Sequence, residues 1–279
     1  EETPGATPTV PWWTGPIQAR TTEVGREVGK LRSFIAQRID DPRLLKDLQT
    51  QYCLGPDAAS ALIDYIREQS KASAVVPDHE NLLVELWKDE LGRFNIIIHC
   101  PLGQRINHAW GAALALAAKD RLKQAWTVSS SNDLIILSLS SRGDFPGRKI
   151  DVKKILALVT PASLDEITRK DADQAMFGDT HFREAAVTAL QIVRAYKGKR
   201  IPLWLQTHRA QELFEAAKQD PDYPIFQEVR RNYLDQALDV RELKNLLQHI
   251  KQKKIKLSFE TVTSPSPFAH ALLITTQYR

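Results

Sequence analysis

The chain has 279 residues, 43% of them hydrophobic and 26% charged, with a formal net charge of +4 and two cysteines. This is the composition of an ordinary soluble globular protein with room for one large or two medium domains. It excludes a disulfide scaffold, a four-cysteine zinc site and any apolar run of the roughly 18 residues that a bilayer span requires.

The charge is uneven along the chain. Residues 1–140 hold 15 Lys and Arg against 17 Asp and Glu, and the remainder holds 23 against 17. A polyanion would therefore meet the C-terminal half first. The widely separated Cys53 and Cys100 suit a reducing, cytoplasmic setting. The opening stretch is acidic and proline-rich, unlike a signal peptide. It begins Glu-Glu-Thr-Pro without an initiator methionine, so an excerpt from a longer protein is expected.

Residues 1–16, with prolines at 4, 8, 11 and 16, read as an extended linker ending in Val10-Pro-Trp12-Trp13-Thr-Gly. Two adjacent tryptophans are hard to bury in so short a segment, so at least one is expected to face a groove. A helical section follows over 17–74. Val24, Val28, Leu31, Ile35 and Ile39 recur at helical spacing, then Leu62, Tyr65 and Ile66 after an expected cap at Asp57. Residues 75–140 read as hairpin, helix, hairpin: strands at Asn81–Lys88 and Phe94–Cys100, a helix over Pro101–Gln124, and strands at Trp126–Ser130 and Leu134–Leu139. Residues 141–279 are mainly helical. Within them, Ile255, Leu257, Phe259 and Thr261 alternate as a strand expected to rejoin the earlier sheet. The predicted class is α+β, with a helical N-terminal section, a small antiparallel sheet carrying a helix, and a helical remainder that returns one strand.

Catalytic signatures are missing. Gly25-Arg-Glu-Val-Gly29-Lys30-Leu31 has one residue too few between its glycines for a phosphate loop, and Leu where Ser or Thr should hold magnesium. His99, Cys100 and His108 lack the spacing of a metal site. Cys53 reads as a small hydrophobe beside Tyr52. No cofactor is expected on this segment.

Binding signatures are better. Phe182, Ala186, Ala189 and Val193 mark one helix, and Leu203, Ala210, Leu213, Phe214 and Ala217 a second, with Pro202 in its first turn. Between them lies a short basic turn, Arg194, Lys197, Lys199 and Arg200 around Gly198. Arg183 precedes Arg194 by about three helical turns, which predicts that both point from one side of the helix. With Trp204 and Arg209 nearby, this corner suits a nucleic-acid backbone and a base; a solvated turn between core helices is the other reading. Arg105, in Pro101-Leu-Gly-Gln-Arg105, either holds a phosphate at a helix start or caps a neighbouring strand. Lys251, Lys253, Lys254 and Lys256 either guard a sheet edge or meet DNA. Trp12 and Trp13 either stack on bases or bury against the first helix.

In order, Thr9-Val-Pro-Trp-Trp-Thr-Gly, Arg26-Glu-Val-Gly-Lys-Leu-Arg, Val76-Pro-Asp-His, Asp89-Glu-Leu-Gly, Pro101-Leu-Gly-Gln-Arg, Ala109-Trp110, Phe182-Arg-Glu-Ala-Ala, Arg200-Ile-Pro-Leu-Trp-Leu-Gln, Tyr223-Pro-Ile and Ser264-Pro-Ser-Pro-Phe resemble the large helicase-related (Lhr) family of bacterial superfamily-2 DNA helicases. The resembling part follows the two ATPase domains and winged helix, and from about Val152 it looks like a DEAD/H-associated domain. The chain departs from the family's pattern at Trp12, Pro16, Leu102 and Asn107. The resemblance implies an ATP-driven 3′-to-5′ helicase in DNA repair, with ATP and Mg on ATPase domains outside this segment. It also implies single-stranded DNA or a DNA/RNA hybrid as partner, beside the parent's own ATPase and winged-helix domains. The candidate contacts are then Trp12, Trp13, Arg105, Arg183, Arg194, Lys199, Arg200, Trp204 and Arg209. The alternative is a scaffold that braces the helicase domains without touching DNA.

Overall fold

A computed structural model of the protein describes residues 19–140, 150–175, 180–217, 220 and 222–277. Three helices open it: α1 (Thr22–Gln37), α2 (Leu44–Gln51) and α3 (Pro56–Ala72). Thr21 caps α1 by accepting the Val24 N–H. The buried side of α1 is Thr22, Gly25, Gly29 and Ile35, while Val24 is 51% exposed, so the expected apolar stripe is displaced. Close approach explains the shift. A Cβ on Gly25 would stand 2.5 Å from the Pro101 carbonyl oxygen, and one on Gly29 would stand 2.6 Å from the His79 nitrogen. These glycines pack a helix onto its neighbours and do not cradle phosphate. α3 is capped by Gly55 ahead of Pro56, and the expected cap, Asp57, sits instead in the first turn, where a carboxylate favours the helix dipole. Cys53 is exposed with φ 52°, not packed as a small hydrophobe.

The next elements follow the expected hairpin, helix, hairpin: β1 (Asn81–Lys88), β2 (Phe94–His99), α4 (Gln104–Leu122), β3 (Trp126–Ser130) and β4 (Leu134–Leu139). Then come α5 (Val152–Leu156), α6 (Leu164–Ala175), α7 (Thr180–Thr188), β5 (Ala195–Tyr196), β6 (Lys199–Arg200), α8 (Leu203–Ala217) and α9 (Pro224–Asn232). A π-helical turn (Tyr233–Ala237), α10 (Val240–Lys251), β7 (Lys256–Val262), a 3-10 turn (Pro267–Ala269) and α11 (His270–Gln277) follow.

β7 does return to the sheet, whose order is β3-β4-β2-β1-β7. It runs parallel to β1, with Asn81 opposite Lys256, so the five-stranded sheet is mixed and not wholly antiparallel. Side chains alternate across it. Leu82, Val84, Ile96, Ile98, Ile135 and Leu137 face the main core, beneath α4, α6 and α10. Ile97, Leu134 and Ile136 face the opposite layer, against Ala269 and α11. Phe268 joins the core of the three opening helices.

A further core is formed by the helices that the chain inserts between α6 and the π-helical turn. Phe182 on α7, Phe214 on α8 and Phe226 on α9 meet with ring centroids 5.1–5.3 Å apart, two of the three pairs edge-on. Aromatic pairs prefer that geometry, which fixes the angle between α7 and α8 and hence the corner they form.

Candidate nucleic-acid interface

Helix α7 stops at Thr188, and Leu190 takes a left-handed conformation (φ 58°) beyond it. Such a residue ends a helix by turning the chain back on its last carbonyls. The Gln191 and Ile192 N–H groups both donate to the Ala186 carbonyl. The segment expected as a basic turn is instead a β-hairpin, β5 against β6, with Ala195 opposite Arg200 and Tyr196 opposite Lys199. Lys197 and Gly198 form its two-residue loop, both at positive φ (47° and 75°), as a type I′ turn demands. Ala189 and Val193 therefore leave the helix and are exposed, contrary to the predicted apolar face.

Pro202 stands immediately before α8 and accepts the Leu205 and Gln206 N–H groups. The buried Gln206 side chain donates to the Ile201 carbonyl at 2.7 Å, pinning hairpin to helix. Leu203, expected in the core, is 61% exposed beside Trp204 at 70%. Helical periodicity predicts that burial, but among the described residues no neighbouring element covers this first-turn position.

Arg183, Arg194 and Arg200 line one concavity of about 370 Å³, together with Ile201, Pro202, Leu203 and Gln206. Arg183 and Arg194 do share a side, though through the chain reversal and not through helical spacing. The Arg183 side chain is 15% exposed, and the acid beside it, Glu184, is 3.5 Å away. From Ala185 to Gln211 the sequence has Arg194, Lys197, Lys199, Arg200 and Arg209 and not a single Asp or Glu. One wall of the concavity is the first turn of the 15-residue α8, whose dipole attracts anions. Guanidinium forks suit phosphate oxygens, and an exposed indole alongside suits a base.

The remaining predicted residues are scattered. Lys199 and Arg209 are exposed but do not line the concavity. Tyr196, missed as a candidate, is 65% exposed, with the Lys197 Nζ 5.5 Å from its ring centroid. Its signal was the Tyr-Lys-Gly-Lys pattern of a tight hairpin, read as a helix connection. Trp12 and Trp13 lie outside the described residues.

Arg105 turns inward and donates to the Asp235 carbonyl in the π-helical turn, so it caps that turn rather than a strand. The N–H groups at the start of α4 are also engaged. Gly103 donates to the Asn132 carbonyl at 3.0 Å, and Gln104 to the Asn132 side-chain oxygen at 3.2 Å. Arg20 and Arg32 both reach Asp133 Oδ1 at 2.7 Å and close the same region. Burial holds the Arg32 guanidinium below its ordinary value, against the pull of Asp133.

Residues 76–269 match the DEAD/H associated family. The chain belongs to that family. The match takes in β1–β4 as well as the segment after Val152. Almost the whole chain is homologous to Lhr helicases. It is 34% identical to the Lhr helicase/probable uracil glycosylase of Mycolicibacterium smegmatis, over 97% of this chain and 18% of that protein. It is 30% identical to the ATP-dependent helicase Lhr-Core protein 2 of Thermococcus barophilus, over 97% of this chain and 31% of that one. Such relatives are thus not confined to bacteria. The fold matches the structure of Mycobacterium smegmatis helicase Lhr bound to ssDNA and AMP-PNP, with a TM-score of 0.80 and 31% identity, over 98% of this chain and 34% of the other. The chain spans about a fifth to a third of the length of these relatives. Among the described residues, no helix is long and apolar enough to cross a membrane.

Proposed function

We propose that this chain is the strand-holding accessory region of an ATP-dependent Lhr-type DNA helicase. The observation that carries the reading is the convergence of Arg183, Arg194 and Arg200 on one concavity beside the exposed Trp204. The fold it sits in resembles that of a helicase whose structure was determined with ssDNA and AMP-PNP. The arginines hold successive phosphates while Trp204, and Trp13 from the opening segment, stack on bases. That contact tolerates any sequence and keeps its register while a motor pulls. The motor, with its ATP and Mg, belongs to domains outside these residues, and the setting is cytoplasmic DNA repair with 3′-to-5′ tracking.

A salt titration of the protein against a single-stranded oligonucleotide tests this. Micromolar binding that falls steeply with salt supports it, because phosphate neutralisation releases counterions. No detectable binding at low salt supports the alternative, a brace for the helicase domains, which the inward commitment of Arg105 favours. A DNA/RNA hybrid in the same titration distinguishes the two nucleic-acid partners.

A further inference from the structure

The outer edge of the sheet presents a surface that the arginine corner does not use. Among the described strands β7 pairs with β1 alone. The Lys256 amide donates to the Glu80 carbonyl at 2.7 Å. Backbone groups alternate sides along a strand, so the amides and carbonyls of Leu257, Phe259 and Thr261 face away from the sheet. Two concavities open beside that edge, of about 600 and 470 Å³, and Lys153 and Phe259 line both. The walls of the larger are apolar, from Leu156 on α5, Leu247 and Ile250 on α10 and Leu257 on β7. Phe259 is 37% exposed, with the Lys153 Nζ 5.2 Å from its ring centroid.

The rim is basic. Lys153 and Lys251 line the larger concavity, and Lys253, Lys254 and Lys256 are exposed on the turn that leads into β7. The two carboxylates that line the smaller concavity each accept a backbone N–H. Asp151 accepts the Lys154 N–H at 3.0 Å as the cap of α5, and Glu260 accepts the Ala74 N–H at 2.9 Å.

We propose that this edge docks an extended, acidic segment of a partner protein, which adds as a further strand beside β7. On the face it shares with the concavities, its side chains are apolar and acidic by turns, so the apolar ones enter the two concavities and the carboxylates meet Lys153 and Lys251 at their rims. An outward-facing ladder of amides and carbonyls is matched by another polypeptide backbone, with pockets for every second side chain supplying specificity. A nucleic acid would satisfy the lysines but neither the ladder nor the apolar walls. A second copy of β7 would bring lysines onto lysines, the arrangement by which edge strands repel their own kind.

The test uses a fluorescently labelled synthetic peptide of about six residues, a common strand length, with Leu or Phe and Asp or Glu taking turns on one face of the strand and Thr on the other. Fluorescence anisotropy reads binding to the full chain, and hydrogen exchange reads the Phe259 and Thr261 amides. The expected result is micromolar binding that slows exchange at both amides. Lys153→Glu with Lys251→Glu weakens it at least about tenfold, because a like charge replaces each complementary one. Both lysines are exposed, so the melting temperature of this double variant stays that of the parent. Several outcomes overturn the proposal: no binding, equal binding of a peptide with Lys in place of its acids, or binding untouched by the double variant. Displacement of the peptide by a single-stranded oligonucleotide would assign the lysines to nucleic acid instead. Slow exchange at both amides in the free protein would show that another part of this chain already occupies the edge.

Discussion

His99 Nε2 lies 3.2 Å from Glu85 Oε2, with both side chains essentially sealed from solvent at 1% and 0% exposure. The Ser266 N–H donates to the same carboxylate oxygen at 3.4 Å, and the Ser266 hydroxyl is 3.3 Å from His99 Nε2. Strands β1 and β2 and the Ser264-Pro-Ser-Pro-Phe stretch are thus tied at one point. Burial pushes the Glu85 carboxyl up, but His99 and Ser266 outweigh it and leave it below its ordinary value of 4.5.

The lowered value makes stability depend on pH in a defined sense. Glu85 contributes fully above 4.5, its ordinary value, and the contribution is lost as pH falls through its lower folded value. Thermal melts across the acid range should show this loss, and Glu85→Gln should flatten it. His99→Ala leaves a sealed carboxylate without its partner and should cost about 3–5 kcal/mol in chemical denaturation at neutral pH. A melt of that variant indistinguishable from the parent would remove the pair from the account of stability.

Gly25→Ala and Gly29→Ala should each destabilise the fold by about 1–3 kcal/mol, the usual cost of forcing a methyl group into a packed site. The added carbon meets backbone in both cases, at Pro101 and at His79, and backbone cannot swing aside. Urea denaturation measures the loss. A phosphate-loop role for these glycines would instead predict altered nucleotide affinity with little change in stability.

The strand-holding corner separates binding from folding, because its residues are mostly exposed. Trp204→Ala should leave the melting temperature unchanged and weaken single-stranded DNA binding by about 1–3 kcal/mol, the range for one stacked base. Arg200→Ala should lower the slope of log affinity against log salt by about 0.7, the value for one phosphate contact on a single strand. An unchanged slope would place Arg200 outside the contact.

The two cysteines should react very differently. Burial pushes the Cys100 thiol up to about 12, while Cys53 is exposed. The thiolate is the reactive form, so maleimide should label Cys53 in the native protein and reach Cys100 only after unfolding. Mass spectrometry of the labelled protein before and after denaturant checks this.

Strands β1 to β4 were legible because each alternates or runs apolar between strong turn signals, and α10 because its leucines recur at helical spacing. β7 was legible for the same reason, although its parallel pairing was not, since nothing local encodes direction. The buried face of α1 was hidden because glycine carries no hydrophobic signal, and it is glycine that permits the contact. The β5–β6 hairpin escaped notice because two-residue strands are too short to alternate. The arginine cluster itself was legible from composition, but the reason offered, helical spacing from Arg183 to Arg194, was not the one the chain uses. The Arg105 site failed on long-range partners, Asn132 and Asp235, that no local pattern announces.

The parallel pairing of β7 with β1 has a consequence for biosynthesis. β1 is made early, yet its second neighbour does not exist until residue 262 has been translated, so the sheet stays open on that flank while the helices in between are produced. During this interval Leu82, Val84 and Leu86 belong to an incomplete layer, a state prone to aggregate or to recruit a chaperone. A ribosome stalled after α10 would therefore display a sticky intermediate, whereas the released chain, with β7 in place beside β1, would not.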